Sequence, residues 1–390
     1  MLSLPPLEIL TAQQQPCWPD PAQVEDVRAT LRSLAPLITV AELNTLRSRL
    51  ELVESGRSLV LQGGDCAELF QEAGVETVNR KLDLLRRLSD ACRSGTGMPV
   101  VTIGRLAGQY AKPRSQAEER LPDGRSVPSY RGDAVNGAAA DPAARQHDPR
   151  RLLIAYARAR HVLKHVGATW REWPPEEHVF VSHELLLKDY ELPLVRGWDE
   201  THYASSGHFG WIGDRTRALD EWHVSFAENI CNPVGVKIGP TAAPADVARL
   251  VARLNPLAEP GRLTLIVRMG AAAVEYALSP IVAAVARQGI PVTWLCDPMH
   301  GNTVTTTRGQ KTRLMPAMMQ EVTSFVAVLR GAGQWAGGLH IEVTPDHVVE
   351  CAWHPDDLSS PQAARYTSAC DPRLNTDQAD ALVRHFLAVT

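Results

Sequence analysis

The amino-acid sequence predicts an α/β protein: a (β/α)8 TIM barrel with a helical extension at its N-terminus. Eight short segments are apolar at nearly every position and rich in β-branched residues, as parallel strands buried on both faces are. Between most of them lie segments with apolar residues three and four positions apart, the spacing of helices that bury one face. Strands that alternate with helices in this way are typical of a barrel of parallel strands.

The eight predicted strands extend from residue 58 to residue 344. They are residues 58–64, 98–105, 177–184, 207–214, 234–240, 262–270, 291–298 and 338–344. Eight is the number of strands that closes a barrel of this class, which favours the barrel over other architectures. A doubly wound open sheet with extra strands would produce a similar alternation, so this second architecture stays open.

The first 57 residues contain two helical patterns and no predicted strand. Apolar residues recur at helical spacing within residues 24–37 and again within residues 40–55. We therefore expect a helical extension over residues 1–57 and a barrel domain over residues 58–390. Two connections in the barrel are long, one within residues 106–177 and one within residues 345–375.

Composition and charge argue against several classes of protein. The chain has 390 residues with 40 basic and 44 acidic side chains, so no general affinity for nucleic acid or an anionic membrane is expected. No window approaches the ~20 consecutive apolar residues that span a bilayer, and the first residues show no basic leader. We therefore expect a cytoplasmic protein that binds neither nucleic acid nor membrane.

The cysteines do not form a recognisable framework. The seven of them are odd in number, widely spaced and without any C-x-x-C pair. This pattern indicates neither a set of disulfides nor a structural zinc knuckle. Each cysteine is therefore considered by itself.

Ionisable or metal-binding side chains follow seven of the eight predicted strands, all but the third. They are Asp65, Cys66, Glu68, Arg105, Asp214, Arg215, Lys237, Arg268, Asp297, His300 and Glu342. The carboxyl ends of parallel strands meet at one end of a barrel, where the loops build the active site. A core made only for packing would avoid such side chains, because burying charge is unfavourable. We therefore expect a site for a polar ligand at this end.

One group of these side chains consists mainly of cations. It contains Arg105, Arg215, Lys237 and Arg268, joined by Lys112, Arg114 and Ser115 from the segment AKPRS. Like charges repel one another unless an anion lies among them, and the guanidinium fork matches phosphate and carboxylate. The expected guest carries both of these groups or several phosphates. Any one of these residues alone could instead form a solvated surface ion pair.

A second group offers a thiolate, an imidazole and carboxylates. It consists of Cys66, His300 and Glu342, with Asp371 as a candidate fourth member. Such a mixed set binds divalent manganese, cobalt, iron or zinc. The sequence has no tight ligand motif such as H-E-x-x-H, so spacing alone does not decide for a metal. For Cys66 the alternative is a small buried thiol of the core.

Eight motifs that occur in order identify a family resemblance. They are QGGDCAE, GRLAGQYAKPRS, YRGDAVNG, NPVGVKIGP, RMG, CDPMHGNT, HIEVT and ACDPRLN. Together they resemble the class II 3-deoxy-D-arabino-heptulosonate 7-phosphate (DAHP) synthases, from about residue 14 to the C-terminus. The resemblance implies a (β/α)8 barrel that condenses phosphoenolpyruvate with erythrose 4-phosphate and releases phosphate. This reaction is the entry step of the shikimate pathway.

The resemblance also implies roles for the two groups of residues. The metal ligands would be Cys66, His300, Glu342 and Asp371, with Mn2+ or Co2+ expected ahead of Zn2+ or Fe2+. Phosphoenolpyruvate would meet Arg105, Lys112, Arg215, Lys237 and Arg268, and erythrose 4-phosphate would meet Arg114 and Ser115. The expected catalytic groups are Lys112, Arg215, Lys237 and His300. Whether Lys112 or His300 assists proton transfer is left open.

Two departures from the family pattern modify these expectations. Asp214 stands in WIGDRTR where the family usually has glutamate, which shortens the reach toward phosphoenolpyruvate or its water. The chain also passes quickly from HVLKHVG to EEHVFVSHE, without the helical insertion of members that respond to aromatic amino acids. Shorter members serve secondary metabolism, including phenazine-type pathways. We therefore expect weak or no inhibition by phenylalanine, tyrosine or tryptophan, and a role in secondary metabolism.

Three further expectations concern redox behaviour, assembly and substrate. Cys370 lies next to Asp371, which would bring it within disulfide reach of Cys66 if Asp371 and Cys66 share a metal. The family is commonly oligomeric, so a homodimer or homotetramer is expected. A related synthase that uses an amino or imino sugar phosphate stays an alternative. A non-catalytic phosphate-binding barrel is disfavoured, because no expected ligand is missing.

Overall fold

Eight parallel strands form a closed barrel in the computed structural model, which describes residues 7–120, 124–199, 201–306, 309–354 and 365–390. The barrel strands are β1 (Leu59–Gly64), β2 (Val100–Arg105), β3 (Val179–Glu184), β4 (Phe209–Ile212), β5 (Val234–Ile238), β6 (Leu263–Val267), β7 (Thr293–Cys296) and β8 (Gly338–Glu342). Each strand pairs in parallel with its two neighbours, and β8 closes the barrel against β1. The predicted barrel is confirmed, and the open sheet is excluded.

Ten α-helices accompany the strands in the described part of the chain. They are α1 (Pro21–Ser33), α2 (Val40–Glu54), α3 (Val75–Thr96), α4 (Arg151–Glu172), α5 (Lys188–Glu191), α6 (Trp222–Glu228), α7 (Pro244–Leu254), α8 (Val274–Ala286), α9 (Met315–Gly331) and α10 (Thr376–Val389). Short 3-10 turns cover Phe70–Glu72, Pro175–Glu177, Leu192–Leu194 and Asp214–Thr216. Among the described residues, no helix combines the length and the apolar character that a membrane span requires.

Helix α2 covers the amino ends of the barrel strands. It begins at a capping box, in which Thr39 accepts from the backbone of Glu42 while the Glu42 side chain accepts from the backbone of Thr39. Its apolar face inserts Leu46, Leu50 and Val53 into the cluster that fills the barrel interior. Burying each of these side chains stabilises the fold by roughly 1.5–3 kcal/mol. The boundary between an extension over residues 1–57 and a barrel over residues 58–390 stays a prediction.

Two hairpins lie in the loops that follow strands β2 and β7. The first pairs Glu118–Arg120 with Ser126–Pro128, and the second pairs Thr303–Thr305 with Lys311–Arg313. A third pairs Val195–Trp198 with Thr201–Ala204 between β3 and β4. The long connection predicted within residues 106–177 thus contains a hairpin and α4. Part of the predicted loop 345–375 lies outside the described residues.

A glycine at the carboxyl end of β1 brings this strand against β2. Gly64 has φ of +142°, and a Cβ there would lie 2.6 Å from the carbonyl oxygen of Arg105. Only glycine adopts this conformation and approach without strain. The close contact sets the residues that follow β1 beside Arg105.

Candidate functional site

A cavity of about 510 Å3 opens at the carboxyl ends of the barrel strands. Every residue predicted to bind substrate contributes to its wall: Arg105, Lys112, Arg114, Ser115, Asp214, Arg215, Lys237 and Arg268. Two of the predicted metal ligands, His300 and Asp371, line it as well. The structure therefore brings the predicted residues of strands β2, β4, β5 and β6 together around one space. Their roles stay predictions at this point.

The floor of the cavity holds two buried cations over an aromatic ring. The Arg105 guanidinium lies 5.0 Å and the Lys237 ammonium 5.8 Å from the centre of the Trp211 ring. Arg105 Nη2 is 3.0 Å from Glu342 Oε1, and Lys237 Nζ is 2.9 Å from Asp297 Oδ2. Each buried cation thus has a carboxylate partner, as burial of charge requires.

A histidine inside the barrel orients Arg105. Arg105 Nη1 lies 2.6 Å from His340 Nε2, and because arginine only donates, this nitrogen accepts. The proton of His340 therefore sits on Nδ1, which donates to Gln62 Oε1 over 2.7 Å. Burial, together with Lys237 and Arg105, holds the pKa of His340 well below its usual value. A neutral imidazole is the form that can accept from Arg105.

The far wall carries Arg268 and Arg215 near Asp214. Asp214 accepts from Arg268 Nη1 over 3.1 Å, from Arg217 Nε over 2.9 Å and from the Gly239 amide over 3.0 Å. Arg268 also donates to the carbonyl oxygen of His300 over 3.2 Å. Among the described residues, no carboxylate lies within ion-pair distance of Arg215. This wall therefore presents more positive than negative charge to the cavity.

The rim of the cavity holds the two residues predicted for the sugar phosphate. Arg114 pairs with Glu119 over 3.0 Å, and its backbone amide donates to Gln14 Oε1 over 2.9 Å. Ser115 is exposed at the same rim. Both line the same cavity as Lys112. They could meet the distal end of a long ligand.

The Lys112 ammonium lies among three of the four predicted metal ligands. Its Nζ is 2.6 Å from Cys66 Sγ, 3.2 Å from Glu342 Oε1 and 3.2 Å from Asp371 Oδ2. Burial disfavours the charged lysine, but Cys66, Glu342 and Asp371 outweigh it and raise the pKa of Lys112. The Lys112 ammonium therefore lies between these donors and offsets part of their negative charge.

The fourth predicted ligand, His300, joins the set through a shared carboxylate. His300 Nε2 is 3.1 Å from Glu342 Oε1, the oxygen that also faces Lys112. Its other nitrogen, Nδ1, is 2.7 Å from Asp297 Oδ2. Burial lowers the pKa of His300, which favours the neutral imidazole that binds metals. The carboxylate of Asp297 orients this ring.

The donors do not yet surround one point as a finished metal site. In the described ranges, no group of three or more His, Cys, Asp and Glu side chains is arranged to hold an ion. The chemistry of the set nevertheless fits a divalent transition metal, since a thiol and two carboxylates surround the Lys112 ammonium and the His300 imidazole adjoins one of these carboxylates. The Lys112 ammonium would have to move aside for such an ion.

Cys66 and Cys370 are in contact but not bonded to each other. Both are free thiols. After burial, the neighbouring Cys370 side chain contributes most to raising the pKa of Cys66, and Cys66 in turn lowers the pKa of Cys370. Formation of a disulfide stays a prediction.

Several site residues were not predicted from the sequence. Arg313, which is fully buried, donates from Nη1 to Glu342 Oε2 over 2.7 Å, and Lys311 pairs with Asp371 over 2.7 Å. Glu184 lines the cavity at the end of β3. Its position directly after an apolar run was a usable signal, whereas the hairpin that carries Lys311 and Arg313 gave none.

Four strand-end acids that the sequence placed at the site do not line the cavity. Asp297 and Glu342 pair with the lining cations Lys237 and Arg105. Asp65 instead pairs with Lys81 over 2.5 Å and with Arg373 over 2.7 Å. Glu68 accepts from three successive backbone amides, those of residues 107–109. Through these contacts Asp65 and Glu68 hold the loops around Cys66 and Asp371 in place.

The chain is similar to proteins of one family over nearly its whole length. The model of the class-II DAHP synthetase family matches residues 6–173 and 172–386. The probable phospho-2-dehydro-3-deoxyheptonate aldolase of Pseudomonas fluorescens is 45% identical over 94% of this chain and 92% of that protein. The phospho-2-dehydro-3-deoxyheptonate aldolase AroG of Mycolicibacterium smegmatis is 39% identical over 94% of this chain and 90% of that protein.

A solved structure supports the fold. The phospho-2-dehydro-3-deoxyheptonate aldolase of Francisella tularensis covers 97% of this chain and 98% of its own, with a TM-score of 0.59 and 12% sequence identity. At this identity the likeness concerns the fold alone. The family model and the relatives, which share more than a third of their residues with this chain, go further. This chain belongs to the class-II DAHP synthetase family.

Proposed function

We propose that this protein is a metal-dependent 3-deoxy-7-phosphoheptulonate synthase, which condenses phosphoenolpyruvate with erythrose 4-phosphate. The observation that carries the proposal is the cavity wall. Five cationic side chains from the strands and loops of the barrel, Arg105, Lys112, Arg215, Lys237 and Arg268, face one space. A thiol, an imidazole and two carboxylates lie at its edge. This combination suits an anionic enol phosphate beside a metal-bound aldehyde.

The cations on the floor and the far wall of the cavity would bind phosphoenolpyruvate. Arg105 and Lys237 lie on the floor over Trp211, and Arg268 and Arg215 stand on the wall beside it. Guanidinium forks bind carboxylate and phosphate through paired hydrogen bonds. Holding both groups of the substrate fixes its C3 carbon in place, so that orientation is settled before the reaction. The positive field also stabilises charge that develops during phosphate release.

The rim would bind the aldose phosphate. Arg114 and Ser115 line the same cavity as the cations that would bind phosphoenolpyruvate. Arg114 is held by Glu119 and by the backbone contact to Gln14. These contacts would orient the phosphate end and direct the aldehyde end toward phosphoenolpyruvate.

Cys66, His300, Glu342 and Asp371 would hold the divalent metal, with Mn2+ or Co2+ expected ahead of Zn2+ or Fe2+. When bound, such an ion polarises a carbonyl oxygen as a Lewis acid, which contributes several kcal/mol. Coordination would require the Cys66 thiol to lose its proton, which burial now opposes by raising its pKa. Lys112 would leave the donors and turn toward the substrate phosphate or carboxylate.

Purified protein tests this proposal directly. Chelator-stripped enzyme is incubated with phosphoenolpyruvate and erythrose 4-phosphate, single divalent ions are added back, and loss of the enolpyruvate absorbance is followed. We expect turnover only with added metal, and none for Cys66→Ala. Turnover that continues undiminished without metal would contradict the metal dependence. No turnover with any ion would contradict the activity.

A second candidate substrate shares the same enolpyruvyl half of the site. Selection of the aldehyde depends on the rim, where Ser115 is exposed and Arg114 only half-buried. An amino or imino sugar phosphate would place its phosphate in the same way. Comparison of kcat/KM for the two aldehydes separates the alternatives. We expect erythrose 4-phosphate to be preferred.

The chain is shorter than some relatives, which supports an enzyme without aromatic feedback. The alignment with the Mycolicibacterium protein spans 423 positions, more than the 390 residues of this chain, so that protein contains inserted segments. The family model matches in two parts that meet at residues 172–173, where α4 ends. This is the place where the sequence suggested a missing insertion. We expect phenylalanine, tyrosine and tryptophan to leave steady-state rates unchanged.

The remaining expectations follow from the family. A homodimer or homotetramer, a cytoplasmic location and service in secondary metabolism stay predictions. The proposed Cys66–Cys370 disulfide is supported by the effect that the two thiols have on each other's pKa. We expect peroxide to release the metal and a thiol reductant to restore activity. Equal metal content before and after peroxide would contradict this expectation.

A further inference from the structure

Glu184 is a cavity carboxylate without a partner. It is the last residue of β3, it is 9% exposed, and it lines the cavity between Trp211 and Arg105. Its backbone amide is fixed by Gln109 Oε1 over 2.9 Å. Its side chain, in contrast, forms no ion pair with any described residue, and the buried oxygen Oε1 has no hydrogen-bond partner among them. A buried oxygen without a partner is rare in a folded protein.

The Oε1 atom of Glu184 lies close to Gly213, the residue that follows strand β4. A Cβ on Gly213, which itself lines the cavity, would lie 2.3 Å from Glu184 Oε1. Any side chain at position 213 would therefore displace the carboxylate. The glycine leaves the space that Glu184 occupies at the wall of the cavity.

Charge around Glu184 is unusual for a carboxylate. Lys237, Lys112, Arg105 and Arg215 all face it and favour its ionised form, yet burial outweighs them and raises its pKa. A carboxylate with a raised pKa accepts a proton more readily than an ordinary one. The four cations also mark the place where the anionic substrate would bind.

A small second cavity of about 10 Å3 lies on the other side of Glu184. Its lining includes Tyr110, His183 and Tyr190, each with a buried polar atom that has no partner among the described residues. A space of this size holds roughly one water molecule. Glu191, which also lines it, is bound to His183 Nε2 over 2.8 Å. Glu184 thus has polar surroundings on both sides.

Asp214, the other acid near the expected reaction, is fully engaged. Both of its oxygens accept hydrogen bonds, from Arg217 and the Gly239 amide on one and from Arg268 on the other. It is also one methylene shorter than the glutamate that the family usually has there. Asp214 therefore clamps Arg268 and has little capacity left for a water molecule.

Building on the proposed function, we infer that Glu184 is the general base for the water that attacks C2 of phosphoenolpyruvate. As C3 bonds to the aldehyde carbon, the water oxygen bonds to C2 and one of its protons passes to Glu184. The C2–O bond to phosphorus then breaks, phosphate leaves with that electron pair, and the C2 hydroxyl becomes the ketone. The two water protons end on the new sugar hydroxyl and on the released phosphate.

The test compares Glu184→Gln with the parent enzyme. Glutamine keeps the size and polarity of the side chain but does not take up a proton. We expect kcat to fall by roughly 10²–10⁴-fold, the contribution typical of a positioned base. The dissociation constant for phosphoenolpyruvate, measured by calorimetry, should change by less than about threefold. Glu184→Asp, which retains the carboxylate, should recover part of kcat.

Two further variants serve as controls. Glu275→Gln, on the exposed side of α8, should match the parent in both readouts. Asp214→Asn should raise KM for phosphoenolpyruvate through Arg268 and lower kcat much less than Glu184→Gln does.

The outcomes separate this inference from the proposed function. If the parent enzyme makes product and Glu184→Gln retains kcat within about threefold, the base lies elsewhere while the activity stands. Loss of phosphoenolpyruvate binding in Glu184→Gln would make Glu184 a residue that orients substrate, which also overturns the inference. So would a larger loss of kcat in Asp214→Asn. A parent enzyme that does not consume phosphoenolpyruvate fails the proposed function itself.

Discussion

Buried ionisable side chains in two regions of this molecule differ in charge. Glu342 at the carboxyl end of β8 stays charged, whereas His223 in the outer layer stays neutral. At the mouth of the barrel, Glu342 is fully buried, yet the hydrogen bond from His300 and the cations Lys112 and Arg313 overcome the effect of burial and hold its pKa well below the usual value. In the layer between barrel and helices, His223 is equally buried, and no described residue forms an ion pair with it. There burial lowers the pKa to about 4 and keeps the ring neutral.

The difference shows where this fold maintains charge. Buried ions survive only with partners, and at the mouth Glu342 and Asp371 each have at least one cation beside them. Such an arrangement stabilises little by itself, since replacing buried ion pairs by apolar groups is often neutral or favourable. Paired buried charges occur at the carboxyl ends of the strands and, in the described part of the chain, not around His223 in the outer layer. This distribution is expected if the charges bind a ligand.

The largest expected effect breaks the ion network at the mouth. Glu342→Gln leaves Arg313 buried without its carboxylate, which is 2.7 Å away and fully buried in the parent. We expect the free energy of unfolding, measured by urea titration with chelator present, to fall by roughly 3–5 kcal/mol. Turnover should be lost as well. The exposed replacement Glu275→Gln should change neither quantity, and a loss below about 1 kcal/mol for Glu342→Gln would remove the contrast between the two regions.

Much of the fold and part of the site were predictable from residue patterns. All eight strands were recognised because each is a continuous apolar run, which a parallel barrel requires on geometric grounds. The residues that follow the strands were found by the same logic, since their location in the barrel is fixed once the strand is. Arg105 and Lys237 are examples, each ending or lying within a strand.

The parts that were missed depend on contacts between distant segments. Arg313 reaches Glu342 from a hairpin of three-residue strands, too short to leave a periodic pattern. The sequence places Asp65 at a strand end like the others, but its partners Lys81 and Arg373 come from α3 and the C-terminal loop. Only the packing shows that these pairs turn Asp65 away from the cavity. The position of Lys112 among the predicted metal ligands was likewise not readable from spacing.

A smaller effect is expected in the outer layer, from acid titration. The unfolded chain should protonate His223 near pH 6.5, whereas the folded protein resists protonation until about pH 4. The native state is therefore fully favoured above pH 6.5 and loses roughly 3 kcal/mol as the pH falls toward 4. His223→Gln should remove this part of the acid slope in urea titrations at several pH values.

An exposed histidine provides the matched control for that experiment. His161 lies on the solvent face of α4, where folding removes little hydration. The stability curve of His161→Gln should follow that of the parent between pH 6.5 and pH 4. If the stability curve of His223→Gln also follows that of the parent, burial does not keep His223 neutral. The contrast between the two regions would then be wrong for the outer layer.

A third effect, of similar or smaller size than that of His223→Gln, is expected for Arg268 on the far wall of the cavity. Arg268→Lys replaces a fork that reaches both Asp214 and the carbonyl of His300 by a single ammonium. Loss of one hydrogen bond to a charged group corresponds to about 1.5–3 kcal/mol, or a roughly 10–100-fold lower kcat/KM for phosphoenolpyruvate. Metal affinity, measured by calorimetry, should stay unchanged. As a control, Arg249→Lys on the exposed face of α7 should change neither kcat/KM nor metal affinity. If Arg268→Lys loses metal affinity, the substrate wall and the predicted metal ligands do not act independently.

The smallest effect is expected at the rim, where the mouth meets solvent. Ser115 is exposed and lines the outer cavity, so its hydroxyl would donate to the sugar phosphate in competition with water. A neutral hydrogen bond of this kind is worth about 0.5–1.5 kcal/mol. Ser115→Ala should therefore raise KM for erythrose 4-phosphate by roughly 2–12-fold, with KM for phosphoenolpyruvate unchanged. If KM for phosphoenolpyruvate rises instead, Ser115 binds phosphoenolpyruvate rather than the sugar phosphate. The two substrates would then lie in the cavity in the opposite order.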